Sequence, residues 1–214
     1  MAGVVVVTPN PAIDVTYRVT QQIVGDTHRV LQTAKSPGGK GVNVARALDS
    51  LGIETVSVLP IGGVSGQWML ASLRELGLLV ASSPIAGETR TTVTVTDDVA
   101  HPTVFSEPGP NVSPPDWELF ASELRRQLFG AAMLILSGSL PHDSSATLVA
   151  DWVAEAHRAG LAAALIEGRT IGEALRWAAA LGAAAVLRPV AGEVDLAAFH
   201  TFLGDTTDSN GASE

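Results

Sequence analysis

The chain contains no cysteine. That excludes disulfides, thiolate metal ligands and a cysteine nucleophile. Lysine is nearly absent too: Lys35 and Lys40 stand against eleven arginines. Charged residues are only 16% of the chain and the formal net charge is −9. Such a chain offers no broad basic face for nucleic acid or an anionic membrane. It also lacks a run of about 20 charge-free apolar residues, the length a bilayer crossing needs. The Ala-rich stretch 161–187 is interrupted by Glu167, Arg169, Glu173 and Arg176. The first eight residues carry no basic leader, so a cytoplasmic protein is expected. The five histidines (28, 101, 142, 157, 200) show no metal-ligand spacing, and no protein-held metal is expected.

What is present is a chain of 214 residues, 46% of them apolar and rich in Ala and Gly. Small residues suit helices pressed on a sheet, and the length suits one α/β domain. Gly3–Thr8 is a β-branched run of the kind found in buried parallel strands. Further strands are expected at 55–61, 78–85 and 132–136. Helices are expected at 43–51, 65–76 (with Ser65 as its cap), 116–128 and 144–158. Weak strands at 15–35 and a Thr/Val pair within 88–107, turning at Asp97-Asp98, read as a small β flap. The alternation of strand and helix predicts a parallel sheet flanked by helices. After Gly160 the alternation stops. Residues 161–166, 170–187 and 195–203 are helix-favouring, and 204–214 is a polar tail expected to be disordered.

Three segments carry candidate chemistry. Gly38-Gly-Lys-Gly41 removes side chains so that a ligand can approach the backbone. It is not a Walker A loop, because Lys40 is followed by Gly41 and not by Ser or Thr. Asn43 stands in the first turn of the following helix, where free N–H groups favour polar or anionic groups. Asn10-Pro-Ala-Ile-Asp14 follows the first strand, and ligands of doubly wound sheets bind at strand carboxyl ends. Asp14 can accept hydrogen bonds from hydroxyls there. Ser137-Gly-Ser-Leu-Pro141 leaves another strand end, offering the Ser139 hydroxyl. Arg29 and Arg90, placed in the flap strands, have the forked geometry that suits phosphate. The tryptophans sit on apolar helix faces and read as core.

Taken in order, Asn10-Pro-x-x-Asp14, Pro37-Gly-Gly-Lys-Gly-Val-Asn-Val-Ala-Arg46, Gly62-Gly-x-x-Gly66, Glu88-Thr-Arg90, Glu107-Pro-Gly109 and Ser137-Gly-Ser-Leu-Pro141 resemble the PfkB (ribokinase-like) sugar kinases. The 1-phosphofructokinase and tagatose-6-phosphate kinase subgroup is the most similar, over about residues 3–160. The resemblance implies ATP-dependent phosphorylation of a sugar phosphate, of fructose 1-phosphate, fructose 6-phosphate or tagatose 6-phosphate type, with Mg²⁺. It implies that Asp14, Gly38, Gly39, Lys40 and Asn43 hold the sugar, and that Arg29, Arg90 and Ser139 hold its phosphate. It implies further that the flap is a lid that pairs two subunits. Thr92 and Thr94 stand where the subgroup has Asn and Lys, and Thr27-His28 where a lid Lys is common.

The resemblance does not continue into the second half. The family's Asp-x-Ser-Gly, Lys-Pro-Asn-x-x-Glu and Gly-Ala-Gly-Asp motifs are absent. Residues 159–168 and 173–187 instead resemble the helices that follow Gly-Ala-Gly-Asp. An internal deletion on the order of a hundred residues, joined near 160–161, accounts for this and is domain-sized. A parallel sheet truncated on one side is the expected fold, within a single unit of residues 1–203. No catalytic base is assigned, because the motif that supplies it is missing. A remnant that binds sugar phosphate or a partner chain without turnover is the alternative function.

Overall fold

The structure, a computed structural model, describes residues 3–145 and 147–159, with Ala198 and Thr201 beyond them. The junction near 160–161, the helical stretches at 161–166 and 170–187 and the tail 204–214 lie outside the described residues. Ala198 and Thr201, within the expected helix 195–203, are helical.

Two four-stranded sheets form the frame. The first is parallel, in the order β5(Leu79–Pro84)-β4(Thr55–Ile61)-β1(Val4–Val7)-β8(Met133–Leu136). The second is mixed, in the order β3(Gln32–Gly38)-β2(Ala12–Arg18)-β6(Arg90–Thr96)-β7(Thr103–Ser106). Four helices complete the described part: α1(Lys40–Ser50), α2(Gly63–Glu75), α3(Pro114–Leu128) and α4(Leu148–Arg158).

β1 is four consecutive valines, each buried, with parallel partners on both sides. Alternate side chains of a strand point to opposite faces. Val4 and Val6 therefore meet Ala45 of α1, whereas Val5 and Val7 join Trp117, Phe120 and Leu124 of α3 and Trp152 of α4. Both faces are thus covered, as a parallel sheet requires. Each fully buried apolar side chain of this core contributes about 1.5–3 kcal/mol over its exposed state. Trp152 and Phe120, at 1% and 0% exposure, are its largest fully buried side chains, with ring centroids 5.1 Å apart.

Chain order reverses at β1: β4 and β5 lie to one side, β8 to the other. Among the described residues β8 is the sheet's outer strand, and its four apolar residues are only half-buried.

Several boundaries differ from expectation. The 36–41 segment is not a free loop. β3 continues through Gly38 by pairing with Ala12, and α1 starts at Lys40, so only Gly39 (φ 99°) makes the turn. α3 starts at Pro114, capped by Ser113, whose Oγ accepts the Asp116 N–H at 3.3 Å. Proline suits this first turn, where its missing N–H costs nothing. α4 begins at Leu148, later than the expected Ser144. Ser65 does not cap α2. The cap position is Gly62, and the carboxylate of Glu88 accepts the Val64 and Ser65 N–H groups at 2.9 and 3.0 Å. The β6–β7 turn spans 97–102. There Asp97 binds the N–H groups of Val99, Ala100 and Gln22, and Asp98 pairs with Arg18.

Candidate functional site

The carboxyl ends of β1 and β8 and the first turn of α1 converge on one place. Gly41, in that turn, packs so closely on Thr8, the Val7 carbonyl and the Ser137 carbonyl that a β-carbon there would collide with Thr8 Oγ1. Gly138 lies beside Pro9 and Lys40. The glycines therefore draw β1, α1 and the Ser137–Pro141 segment together. Thr8 Oγ1 and Asn43 Oδ1 are both buried there with no hydrogen-bond partner among the described residues. Orphaned polar atoms are uncommon, and at a strand end they mark a place for a ligand or water.

The second sheet closes this mouth from above. Strand register puts Asp14, Gly38 and Thr92 on one face: Asp14 is opposite Ser36 and Thr92, and Gly38 is diagonal to it. The Asp14 carboxylate lies over the Gly38 α-carbon, where any β-carbon would strike it. Burial raises the Asp14 carboxyl above its ordinary value of 3.8, and the positive charges of Arg90 and Arg46 partly oppose that rise. A partly desolvated carboxylate under the influence of two guanidiniums is a strong hydrogen-bond acceptor.

Arg90 is spoken for within the protein. Its Nε and Nη2 donate to the Asn10 carbonyl at 3.3 and 3.2 Å. Its Nη1 donates to Ser106 Oγ at 2.7 Å and to the Glu107 carbonyl at 2.9 Å. Burial lowers its pKa, while Asp14 and Glu107 act the other way. Asn10 adds Nδ2–H···O=C to Pro108 at 3.0 Å, with its Oδ1 against Gly109 (φ 93°). The connection between β1 and β2 is thereby latched to the 107–109 segment and to β6.

The expected site residues divide. Asp14, Gly38, Gly39, Lys40 and Asn43 come together around the start of α1, Asp14 from within β2 rather than from the turn before it. Ser139 is exposed, one residue beyond Gly138 at the β8 end. Arg29 is not in a flap strand: it is exposed on the 19–31 connection between β2 and β3. Thr8, Arg46 and Asn10 were not singled out individually as site residues, though Arg46 and Asn10 stand inside the quoted motifs. Lys35, given no role from sequence, places its ammonium 4.0 Å from the Trp68 ring centre and ties β3 to α2. Among the described residues no three His, Asp or Glu side chains converge as a metal site, and no helix is long and apolar enough to cross a membrane.

Comparison with known proteins agrees with this geometry. The chain is 30% identical over 158 residues to tagatose-6-phosphate kinase of Staphylococcus epidermidis, covering 74% of this chain and 51% of that one. It is 37% identical over 153 residues to 1-phosphofructokinase of Vibrio cholerae, covering 71% and 48%. The crystal structure of Escherichia coli phosphofructokinase-2 in complex with fructose-6-phosphate superposes with a TM-score of 0.70 at 25% identity, over 75% of this chain and 53% of that one. The chain thus spans about half the length of the curated relatives it matches. The profile of pfkB family carbohydrate kinases fits residues 4–157, and the chain belongs to that family.

Proposed function

We propose that this chain binds a ketohexose phosphate of the fructose 1-phosphate, fructose 6-phosphate or tagatose 6-phosphate type, for phosphorylation by ATP. The observation that carries this reading is the Asp14 carboxylate, half-buried over Gly38 just before the start of α1. Asp14 accepts sugar hydroxyls, the glycines let the sugar approach the backbone, and Asn43 and Lys40 contact it from the α1 start. Arg29 and Ser139 take the phosphate from the two sides of the mouth. Arg90, with four of its five N–H groups already engaged, offers the phosphate one N–H and mainly fixes the lid.

ATP with Mg²⁺ is the donor that the family implies, and it supplies the transferred phosphoryl group. The described residues do not form a donor set for it: they hold no carboxylate cluster, and the Gly-Ala-Gly-Asp sequence is absent from the chain. A general base contributes roughly 10²–10⁴ in rate. That absence favours a second reading, in which the chain binds sugar phosphate without turning it over. The second sheet adds a partner surface. Val15, Tyr17, Val93, Val95 and Phe105 share the face opposite Asp14, and Phe105 is 62% exposed. A second copy of the chain, pairing through this face, would cover it.

One pair of measurements decides between the readings. Calorimetric titration with fructose 6-phosphate, fructose 1-phosphate and tagatose 6-phosphate tests binding, and a coupled ADP-release assay tests turnover. Saturable binding lost in Asp14→Ala supports the site, and ADP release dependent on the sugar supports the kinase. Titration heats that do not change with Asp14→Ala would remove both.

A further inference from the structure

The 19–31 connection between β2 and β3 carries Arg29, and its ties to the rest of the protein are few. Its two ends are closed by the Val19 N–H, which donates to the Thr96 carbonyl at 3.0 Å, and the Leu31 N–H, which donates to the Arg18 carbonyl at 2.8 Å. Between those ends, among the described residues, 20–30 hydrogen-bond to one residue outside their own segment, Asp97. That contact is short: the Gln22 N–H donates to Asp97 Oδ2 at 2.6 Å. Beyond Gln22 the chain folds on itself. The Asp26 N–H donates to the Ile23 carbonyl at 3.3 Å, and His28 Nε2 lies 3.1 Å from the Ile23 nitrogen and 2.9 Å from its carbonyl oxygen. Arg29 is the next residue. Hydrogen bonds and peptide bonds thus alternate from Asp97 through Gln22, Ile23 and His28 to Arg29.

Both carboxylate oxygens of Asp97 are in use. Oδ1 accepts the Val99 and Ala100 N–H groups at 2.8 and 2.6 Å, which fixes the β6–β7 turn, while Oδ2 is given to Gln22. The N–H groups of Ala100, Val99 and Gln22 hold the carboxyl below its ordinary 3.8, so it is ionised at neutral pH. Hydrogen bonds to a charged acceptor are shorter and stronger than neutral ones. The neighbouring Asp98 does something else: it pairs with Arg18 at 2.8 Å and makes no contact with 20–30. Arg29 is exposed, and among the described residues it has no ionic partner. Its guanidinium can meet an anion, but only where the segment places it.

We infer that Asp97 is a positioning residue for the anionic end of the substrate, holding the 20–30 segment against the β6–β7 turn so that Arg29 stands where the phosphate arrives. This role rests on the sugar-phosphate reading of the site, and Asp97 acts through Arg29, not by touching the sugar. The isosteric Asp97→Asn cannot replace it, because a carboxamide has a single acceptor oxygen. Set to keep Val99 and Ala100, it turns its NH2 group on the Gln22 N–H, donor against donor. Charge alone predicts the opposite outcome. Removing a negative charge favours an anionic ligand, so weaker phosphate binding in Asp97→Asn has to come from geometry.

The test is calorimetric titration of the full chain with fructose 6-phosphate and with fructose, in the parent, Asp97→Asn, Asp98→Asn, Arg29→Gln and the double variant Asp97→Asn with Arg29→Gln. Fructose lacks the phosphate, so the ratio of the two affinities reports the phosphate contact, and a general loss of structure lowers both affinities together. Asp97→Asn is expected to lower the ratio about threefold or more, the size of one exposed ion pair. Arg29→Gln is expected to lower it at least as far, the double variant no further than Arg29→Gln, and Asp98→Asn to keep it. Hydrogen exchange of the 22–28 amides is expected to quicken about tenfold or more in Asp97→Asn, as loss of a charged hydrogen bond implies, with β1 and β4 unchanged. The role is overturned if Asp97→Asn keeps the parent's ratio, if it weakens fructose equally, if the two substitutions add, or if exchange of 22–28 is unchanged. In each of those cases the parent still binds fructose 6-phosphate and the sugar site stands. A parent chain that does not bind fructose 6-phosphate removes the sugar site and the role of Asp97 with it.

Discussion

The Asp14 carboxylate covers the α-carbon of Gly38, diagonally across the antiparallel pairing of β2 and β3. One residue supplies the charge and the other supplies the space for it. Gly38 therefore owes its identity to a neighbour, not to its backbone torsion, which is not in the left-handed region.

Gly38→Ala follows from this directly. The added methyl forces the carboxylate off its position while leaving β3 paired, since alanine is accepted by an extended backbone. Affinity for fructose 6-phosphate, measured by calorimetry, is expected to fall by about tenfold or more, equivalent to about 1.4 kcal/mol. Near-normal affinity in the folded variant would mean that Asp14 is not the sugar acceptor.

Asp14 should cost stability where it is ionised. Its folded pKa is raised above the ordinary 3.8 by burial. A raised carboxyl favours the folded state when protonated, so its contribution is present below the unfolded pKa and is lost as pH rises through the folded value. Asp14→Asn is accordingly expected to melt higher than the parent chain at about pH 7, with the gap closing toward about pH 3. The same variant is expected to lose the proposed sugar binding, the usual opposition of stability and function at a site. Equal melting temperatures across that range would show that burial of Asp14 carries no penalty.

How much of this was readable in the sequence depends on how far apart the partners lie. The four valines of β1 and the tryptophans of α3 and α4 were legible as core, because strand and helix periods are local. The cluster of Asp14, Gly38, Gly39, Lys40 and Asn43 was legible because all five lie within 30 residues of one strand–loop–helix passage. The latch was not. Arg90 binds the carbonyl of Asn10, 80 positions away, and backbone carbonyls carry no sequence signal. Glu88 caps a helix that begins 25 positions earlier, and Ser65, the local candidate, was the natural but incorrect choice. Arg29 was placed in a strand because its neighbours alternate weakly, whereas the chain there runs as an irregular connection.

The latch predicts a defined effect on motion. Arg90→Lys keeps the charge but cannot reproduce the forked contacts to Asn10, Ser106 and Glu107. Losing two or three such hydrogen bonds costs about 1–3 kcal/mol. Hydrogen exchange is expected to speed up in β6, β7 and the 8–12 hinge, with the amides of β1 and β4 unchanged. Uniform acceleration across the molecule would assign Arg90 to global stability instead of the hinge.

Glu88 offers the complementary case, a carboxylate whose pKa is lowered. Its hydrogen bonds to Ser65 and Val64 hold it below its ordinary 4.5, with only slight opposition from burial. A depressed carboxyl stabilises the fold above its unfolded pKa and loses that effect as pH falls through the folded one. Glu88→Gln keeps one acceptor oxygen for the α2 start but removes the charge that suits a helix N-terminus. It is therefore expected to melt lower than the parent chain at about pH 7 and to match it near about pH 3, the reverse of Asp14→Asn. Glu88→Ala removes the acceptor altogether and should lower the melting temperature further at either pH. Gly63→Ala is expected to resemble Glu88→Ala, because its methyl would collide with the Glu88 carboxylate and its φ of 65° resists a side chain. If Glu88→Gln melted like the parent chain at neutral pH, the capping contacts would contribute nothing to holding α2, and β6 would owe its position to the Arg90 contacts and its pairing with β2 and β7.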